Sequence, residues 1–152
     1  MVQQILCETG LPNDRLELEI TEETAVSHLD DAAWLIAELQ LNGIMVTMDD
    51  FGTGYSSPGA VKRLPFDRMK IDRSFVSGLP NDRVDRAIIK SMLIVAESVG
   101  MKVVAEGIET AEQLAFLQEC GCAYGQGYWY SRPIPLVSLK QLLSEKKPEF
   151  AR

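Results

Sequence analysis

Five acidic or basic side chains lie at or beside the ends of strand-like segments of this sequence. They are four carboxylates and a lysine: Glu19, Asp49, Asp50, Glu106 and Lys70. Carboxylates that converge at one edge of a sheet repel one another unless cations neutralise them. Hard divalent ions such as Mg²⁺ and Mn²⁺ prefer oxygen ligands, and a pair of them can activate water and clamp a phosphodiester for in-line attack. The pattern therefore favours metal-assisted hydrolysis.

A simpler interpretation is that each acid is solvated or pairs with a nearby Lys or Arg. For a single acid at a strand end, that interpretation would be preferred. Here the polar residues occupy equivalent positions at the ends of successive predicted strands, and Gln126 ends the last of these strands between two glycines. This arrangement favours one shared site.

Strand-like and helix-like segments alternate along the chain. Period-two patterns predict strands over residues 16–20, 44–49, 68–71, 102–106 and 123–127. Helical spacing predicts helices over 30–42, from 81 or 82 to Gly100, from Thr110 to Gly121, and around Leu136 to Leu143. Asn81 or Asp82 can cap the second of these helices, and Gln113 is placed to form a capping box with Thr110 in the third. An amphipathic segment, residues 2–8, precedes these units. The order predicts an α/β protein with a parallel sheet of about five βα units, a partial (β/α) barrel of the TIM type.

Side-chain alternation predicts which residues point toward the barrel axis. Glu19 has the opposite parity to Leu18 and Ile20, and Lys70 lies between Met69 and Ile71. If the apolar residues pack against helices, the charged residues face inward. The predicted helix that ends at Gly100 has an apolar stripe that we expect to be buried, consisting of Val84, Ile88, Met92, Val95 and Val99.

Composition excludes several classes of protein. The chain has 152 residues, 46% hydrophobic, and a net charge of −7, which disfavours binding to a long nucleic acid. Three cysteines and a single histidine, in no ligand-like spacing, argue against zinc clusters and against Ser-His-Asp catalysis. No segment approaches the ~18 consecutive apolar residues of a membrane span, and no signal peptide is recognisable, so a cytoplasmic location is expected.

Several motifs resemble the EAL domain of bacterial cyclic-di-GMP phosphodiesterases. They occur in the family's order: Leu16-Glu-Leu-Glu-Ile-Thr-Glu22, Met48-Asp-Asp-Phe-Gly-Thr-Gly-Tyr-Ser-Ser57, Lys62-Arg-Leu-Pro65, Met69-Lys-Ile-Asp72, Val104-Ala-Glu-Gly-Ile-Glu109, Gly125-Gln-Gly-Tyr128 and Ser131-Arg-Pro133. Together they cover nearly the whole chain. The resemblance implies a signalling hydrolase that cleaves one phosphodiester of the cyclic dinucleotide with Mg²⁺ or Mn²⁺.

The resemblance also implies a role for each matching residue. Glu19 and Asp49 resemble metal ligands, and Asp50 resembles a ligand of the second metal. Lys70 resembles the lysine that binds the attacking water, and Glu106 the acid that supports this water or acts as general base. Substrate-binding or supporting roles are implied for four more residues, with Glu22 matching the residue that holds the loop after the paired aspartates: Gln126, Glu22, Glu109 and Asp72.

The chain also departs from the family pattern. The Glu-Ala-Leu tripeptide that names the family and an asparagine on a later strand are absent, so two expected ligands of the first metal are missing. Five βα units are also fewer than the eight of a closed barrel. We therefore expect residues 1–152 to form a single truncated EAL-type domain, with an incomplete two-metal site and weak or absent hydrolysis.

Two other interpretations stay open. The chain could be a non-catalytic module that binds cyclic-di-GMP or a protein, or a piece of a longer protein with no role of its own.

An open wedge of strands leaves apolar surface and sheet edges exposed. We therefore expect a homodimer or higher assembly, with residues 2–8 and 16–20 near the contact.

Overall fold

The five strands form one parallel sheet, and they are hydrogen-bonded in the order in which they occur in the chain. The computed structural model describes residues 1–54 and 58–145. The strands are β1 (Glu17–Thr21), β2 (Met45–Phe51), β3 (Arg68–Ile71), β4 (Lys102–Ala105) and β5 (Tyr124–Gly125). Sequential order with no reversal is the winding of a (β/α) barrel, whereas a doubly wound sheet reverses direction at a switch point. The predicted α/β class and parallel sheet are confirmed.

Eight helices accompany the sheet in the described residues. They are α1 (Val2–Thr9), α2 (Glu22–Ser27), α3 (Leu29–Leu41), α4 (Pro58–Arg63), α5 (Arg73–Val76), α6 (Arg83–Ser98), α7 (Ala111–Glu119) and α8 (Leu136–Glu145). The predicted capping box at the start of α7 is present, with Thr110 and Gln113 each bonding the other's backbone. Asp82 caps α6 by accepting from the N–H groups of Val84 and Asp85. Local capping chemistry was thus readable from the sequence.

The core lies between the sheet and the helices. Apolar side chains on the outer face of the strands are fully buried against the helices, among them Val46, Met48, Met69 and Ile71. The inner face carries polar residues instead, because neighbouring side chains along a strand point to opposite faces. The structure thus confirms that Met69 and Ile71 face the helices while Lys70 faces inward.

The prediction for the buried face of α6 is correct at Met92, and Ile88 and Val95 are partly buried, but it is wrong at both ends of the stripe. The helix buries Ile89, Met92 and Ala96, whereas Val84 is 64% exposed and Val99 is 37% exposed. Two apolar faces lie side by side on this helix, since position 89 is displaced by about 100° from position 88. Periodicity cannot show which of two such faces meets a sheet. The other face borders an open groove that is also lined by Phe51.

The predicted fifth strand, residues 123–127, is longer than the strand observed. β5 ends at Gly125, after which the chain pairs with the loop that follows β4. The N–H of Ile108 donates to Gln126 O at 3.1 Å, and that of Trp129 donates to Ile108 O at 2.9 Å. At position 127 a Cβ atom would lie 2.2 Å from the carbonyl oxygen of Ile108. Only glycine permits this approach, so the backbone turns here instead of extending the sheet.

Candidate functional site

Lys70 is the centre of a charged cluster on the inner face of the sheet. Its Nζ lies 2.8 Å from Glu19 Oε2, 2.9 Å from Glu106 Oε1 and 3.1 Å from Asp49 Oδ1. The three acids come from β1, from β2 and from the residue after β4, so the parallel register places them at one edge. The lysine side chain is only 10% exposed. One ammonium group thus pairs with carboxylates from three parts of the chain.

The environment of Lys70 keeps the ammonium protonated. Burial by itself lowers the pKa of Lys70, but hydrogen bonds with Glu19, Glu106 and Asp49 outweigh burial and raise this pKa above its usual range. The stabilisation from these contacts is therefore complete at neutral pH and is lost only as the pH rises through the raised pKa. Lys70 can orient or stabilise an anionic or polar group at this edge, but it cannot act as a base near neutral pH.

A β-bulge brings the two consecutive aspartates toward the same site. Met48 pairs with Met69 and Phe51 pairs with Ile71, so the two aspartates between them oppose the single residue Lys70. Asp50 has a φ of 56°, in the left-handed region that Asp and Asn tolerate better than other residues. In a regular strand, adjacent side chains would point to opposite faces. The bulge is the physical reason that both carboxylates can serve one site.

Three carboxylates lie close enough together to bind a metal ion. One oxygen each from Asp49, Asp50 and Glu106 lies within 4.8 Å of the others. Three anionic oxygen donors that are only partly buried fit a hard divalent cation such as Mg²⁺ or Mn²⁺, with water completing the shell. Glu19 is not one of these three; it pairs with Lys70, as Asp49 and Glu106 also do, and is 48% exposed, and its role as a metal ligand stays a prediction. In this geometry, Glu106 is the third member of the cluster.

Glu22 holds the loop that follows the paired aspartates. Its Oε2 accepts a hydrogen bond from the N–H of Gly52 at 2.7 Å, and the residue is 2% exposed at the start of α2. Gly52 has a φ of 93°, where a side chain would be strained. Residues 55–57 of the motif lie outside the described residues. The contact joins Glu22 to the loop after the paired aspartates, and the role that the resemblance implied for Glu22 stays a prediction.

Replacing Glu22 with glutamine tests this contact. The change keeps the side-chain shape but removes the charge from the hydrogen bond, which is expected to cost about 1.5 kcal/mol locally. We therefore expect the amide proton of Gly52 to exchange with solvent about tenfold faster. Glu23→Gln, at the exposed neighbouring position, is the matched control. Equal exchange rates for Gly52 in the two variants would show that Glu22 does not hold the loop.

The other three residues with implied site roles make no side-chain contact with Lys70 that the structure records. Asp72 caps α5, and a hydrogen bond from Ser74 lowers the pKa of this carboxyl. Glu109 is exposed, and its backbone N–H donates to Gln113 at 2.8 Å. Gln126 is exposed, although its backbone N–H donates to Ala105 O beside Glu106. Their site roles stay predictions.

Sequence reasoning missed a further set of polar residues on the inner face. Glu17 and Arg68 form an ion pair one pleat below Lys70. The alternation of side chains along a strand could have identified them, because these residues lie two positions before Glu19 and Lys70 and therefore on the same faces of their strands.

The fold and the site together define a class of protein. It is a partial (β/α) barrel with an acidic cluster at the carboxyl ends of its strands. The family profile described as the EAL domain matches residues 1–133. The chain therefore belongs to the EAL domain family.

Curated relatives and solved structures show the same relationship. The chain is 43% identical over 142 residues to the cyclic di-GMP phosphodiesterase NbdA of Pseudomonas aeruginosa, a match that covers 93% of this chain and 18% of NbdA. It superposes with a TM-score of 0.86 and 39% identity on the PaMucR phosphodiesterase in complex with c-di-GMP, covering 91% of this chain and 56% of that one. A manganese and cy-diGMP complex of Klebsiella pneumoniae BlrP1 gives a TM-score of 0.80 and 32% identity, covering 87% and 34%.

The chain spans less than a fifth of the length of NbdA and little more than half of the solved MucR chain. Among the residues that the structure describes, none of the helices has both the length and the apolar character needed to cross a membrane.

Proposed function

We propose that the chain is part of a metal-dependent phosphodiesterase that hydrolyses one phosphodiester of cyclic-di-GMP to give a linear dinucleotide. One observation carries the proposal: in a member of the EAL domain family, Lys70 is held by three carboxylates beside Asp50. The names of NbdA and PaMucR support the choice of substrate. We further propose that residues 1–152 belong to a single truncated EAL-type domain and that the protein is cytoplasmic.

Each residue of the cluster has a proposed role. Asp49, Asp50 and Glu106 would hold a divalent ion, with Glu19 as a further ligand. When bound, Mg²⁺ or Mn²⁺ supplies neutralisation of phosphate charge and a lowered pKa for water. Lys70 orients the attacking water through its ammonium protons, and Glu106 accepts the proton that this water loses. Gln126, Glu109 and Asp72 are proposed to line or support the substrate pocket.

Hydrolysis of cyclic-di-GMP by the purified chain, measured with Mg²⁺ and then with Mn²⁺, tests the proposal. We expect slow formation of the linear dinucleotide, because the Glu-Ala-Leu glutamate and the asparagine are absent from these 152 residues. Glu106→Gln is expected to remove the activity by removing the proton acceptor. Activity that persists in this variant would point to another mechanism or to a contaminating enzyme.

A second candidate function is a non-catalytic module that binds cyclic-di-GMP or a protein partner. Calorimetry with cyclic-di-GMP distinguishes the two. Binding without detectable hydrolysis in either metal supports the module, whereas turnover supports the enzyme.

We also propose that the folded chain is a homodimer, with residues 2–8 and 16–20 near the contact. β1 lies at one edge of the sheet, and two apolar residues near it are exposed, Ile5 at 51% and Leu11 at 43%. Sedimentation at micromolar concentration is expected to give the mass of a dimer, and Ile5→Glu is expected to give a monomer. Val84→Glu, on the exposed face of α6, is the matched control. A stable monomer of the unmodified chain would contradict the proposal.

A further inference from the structure

A second layer of polar residues lies one pleat below the Lys70 cluster. It occupies the same face of the first three strands, two positions earlier on each: Glu17, Thr47 and Arg68. Arg68 Nη1 lies 2.6 Å from Glu17 Oε2, and the Thr47 hydroxyl donates to Glu17 Oε1. The arrangement repeats the contact between Lys70 and Glu19, because each ion pair joins β3 to β1 across β2.

The lower layer is held by several contacts at once. Thr47 is fully buried, while the side chains of Glu17 and Arg68 are 29% and 23% exposed. The guanidinium of Arg68 also lies over the ring of Tyr124, 4.6 Å from its centroid. A planar cation that is both paired and stacked has little freedom to move. The layer therefore links β1, β2, β3 and β5 with a defined geometry.

The spacing of the strands shows how this layer can affect the shape of the sheet. Neighbouring strands lie about 4.8 Å apart, so β1 and β3 are separated by roughly twice that distance. The side chains of Glu17 and Arg68 extend over β2 to meet, and their contact limits how far β1 and β3 can move apart. The separation of these two strands sets the curvature of the sheet at this level. Because residues two apart on a strand are less than about 7 Å apart, the same curvature influences the contact between Glu19 and Lys70.

Direct binding of a ligand by Arg68 is a poor alternative. Arg68 is the first residue of β3, below Lys70, whereas ligands of (β/α) barrels bind at the carboxyl ends of the strands. Its guanidinium is already paired with Glu17.

We propose that Glu17, Thr47 and Arg68 form a positioning layer that holds Glu19 and Lys70 in contact by fixing the curvature of β1 to β3. Its relevance to turnover rests on the proposed phosphodiesterase function. The residues themselves are positioning residues, because they act through Lys70 and Glu19.

Arg68→Gln in the full chain tests the layer, with Arg63→Gln as the matched control, since Arg63 pairs with Asp30 on the exposed surface. The first measurement is the ¹⁵N resonance of the Lys70 ammonium in metal-free protein, well below the unfolding temperature. We expect this resonance to shift and broaden in Arg68→Gln and to stay unchanged in Arg63→Gln. The second is turnover with Mn²⁺, where kcat is expected to fall roughly tenfold with little change in KM.

Glu17 provides an independent variant. Glu17→Asp keeps the charge but shortens the reach by one methylene, so the Lys70 resonance is expected to shift in this variant as well. This variant also covers the case in which Arg68→Gln does not fold. The double variant Glu17→Gln/Arg68→Gln is expected to lower kcat no further than the stronger single variant, because both changes remove the same pair.

Two results separate this inference from the proposed function. If Arg68→Gln and Glu17→Asp lower the melting temperature but leave the Lys70 resonance and kcat as in Arg63→Gln, the layer serves stability alone and the proposal is wrong. If the Lys70 resonance shifts but the unmodified chain hydrolyses no cyclic-di-GMP, the positioning layer is supported and the phosphodiesterase function is not.

Discussion

Replacing Lys70 with methionine is expected to lower the free energy of unfolding of the metal-free chain by about 3 kcal/mol at neutral pH and to abolish hydrolysis. Removing one member of a buried ion pair typically costs about 3–5 kcal/mol, because the remaining charge is left uncompensated. Here three carboxylates lose their shared cation. The lower end of that range applies because Glu19 is 48% exposed and water can solvate it.

The destabilisation of Lys70→Met should depend on pH. Without the ammonium, Glu19, Asp49 and Glu106 repel one another, so the folded variant binds protons more tightly than the unfolded chain. Its stability relative to the unmodified chain should therefore recover as the pH is lowered from about 7 to about 5. Mn²⁺ should stabilise the variant more than it stabilises the unmodified chain, since the ion replaces the missing positive charge.

Urea denaturation at several pH values, with and without Mn²⁺, measures these effects. Lys140→Met, an exposed position on α8, is the matched control and should leave stability and turnover unchanged. A stability loss in Lys70→Met that is the same at all pH values would indicate that packing, and not charge, is what the lysine contributes.

Replacing Asp49 with asparagine is expected to eliminate divalent-ion binding. We expect the unmodified chain to bind Mn²⁺ weakly, with a Kd on the order of 1 mM, because the cluster found among the described residues has three carboxylates. Asparagine preserves the shape of the side chain but removes its negative charge. Asp49 belongs to the metal cluster and also contacts Lys70. The affinity of the variant for Mn²⁺ should therefore fall more than tenfold, so that binding is no longer detected by calorimetry.

Asp31→Asn, an exposed position in α3, is the matched control for Asp49. A comparison of two variants at position 50 separates the effect of the side-chain charge from the effect of the backbone conformation. Asp50→Asn keeps a residue that tolerates the left-handed conformation, whereas Asp50→Ala adds backbone strain of about 1 kcal/mol. Both should weaken Mn²⁺ binding alike, but only the alanine variant should also lose stability. Tight binding of two ions by the unmodified chain would refute the expected incomplete site.

The order of elements was predictable because local patterns determine it. The capping box at Thr110, the Asp82 cap and the period-two strands are all properties of neighbouring residues, and the structure confirms them. The short helix α2 was not predicted, although Thr21 accepts from the N–H of Thr24 and two glutamates follow in the first turn. Its signal was present but short, and six-residue helices have weak periodicity.

The site was predictable only in part. Parity on the strands correctly placed Glu19 and Lys70 on one face, where they form an ion pair. The grouping of Asp50 with Asp49 depends on the bulge between β2 and β3, which is a register shift between two strands. Such a register shift depends on how two distant segments pair, so neither segment contains a periodic sequence pattern that predicts it.

The amino-acid sequence by itself determined the family, the alternation of strands and helices, and the inward face of Glu19 and Lys70. These follow from motifs and from side-chain periods of neighbouring residues. Only the tertiary structure decided that Glu106 completes the acidic cluster, that α6 buries Ile89 and not Val84, and that Arg68 reaches Glu17. Each of these depends on how far strands curve and how helices rotate against them, and packing among residues distant in sequence sets both.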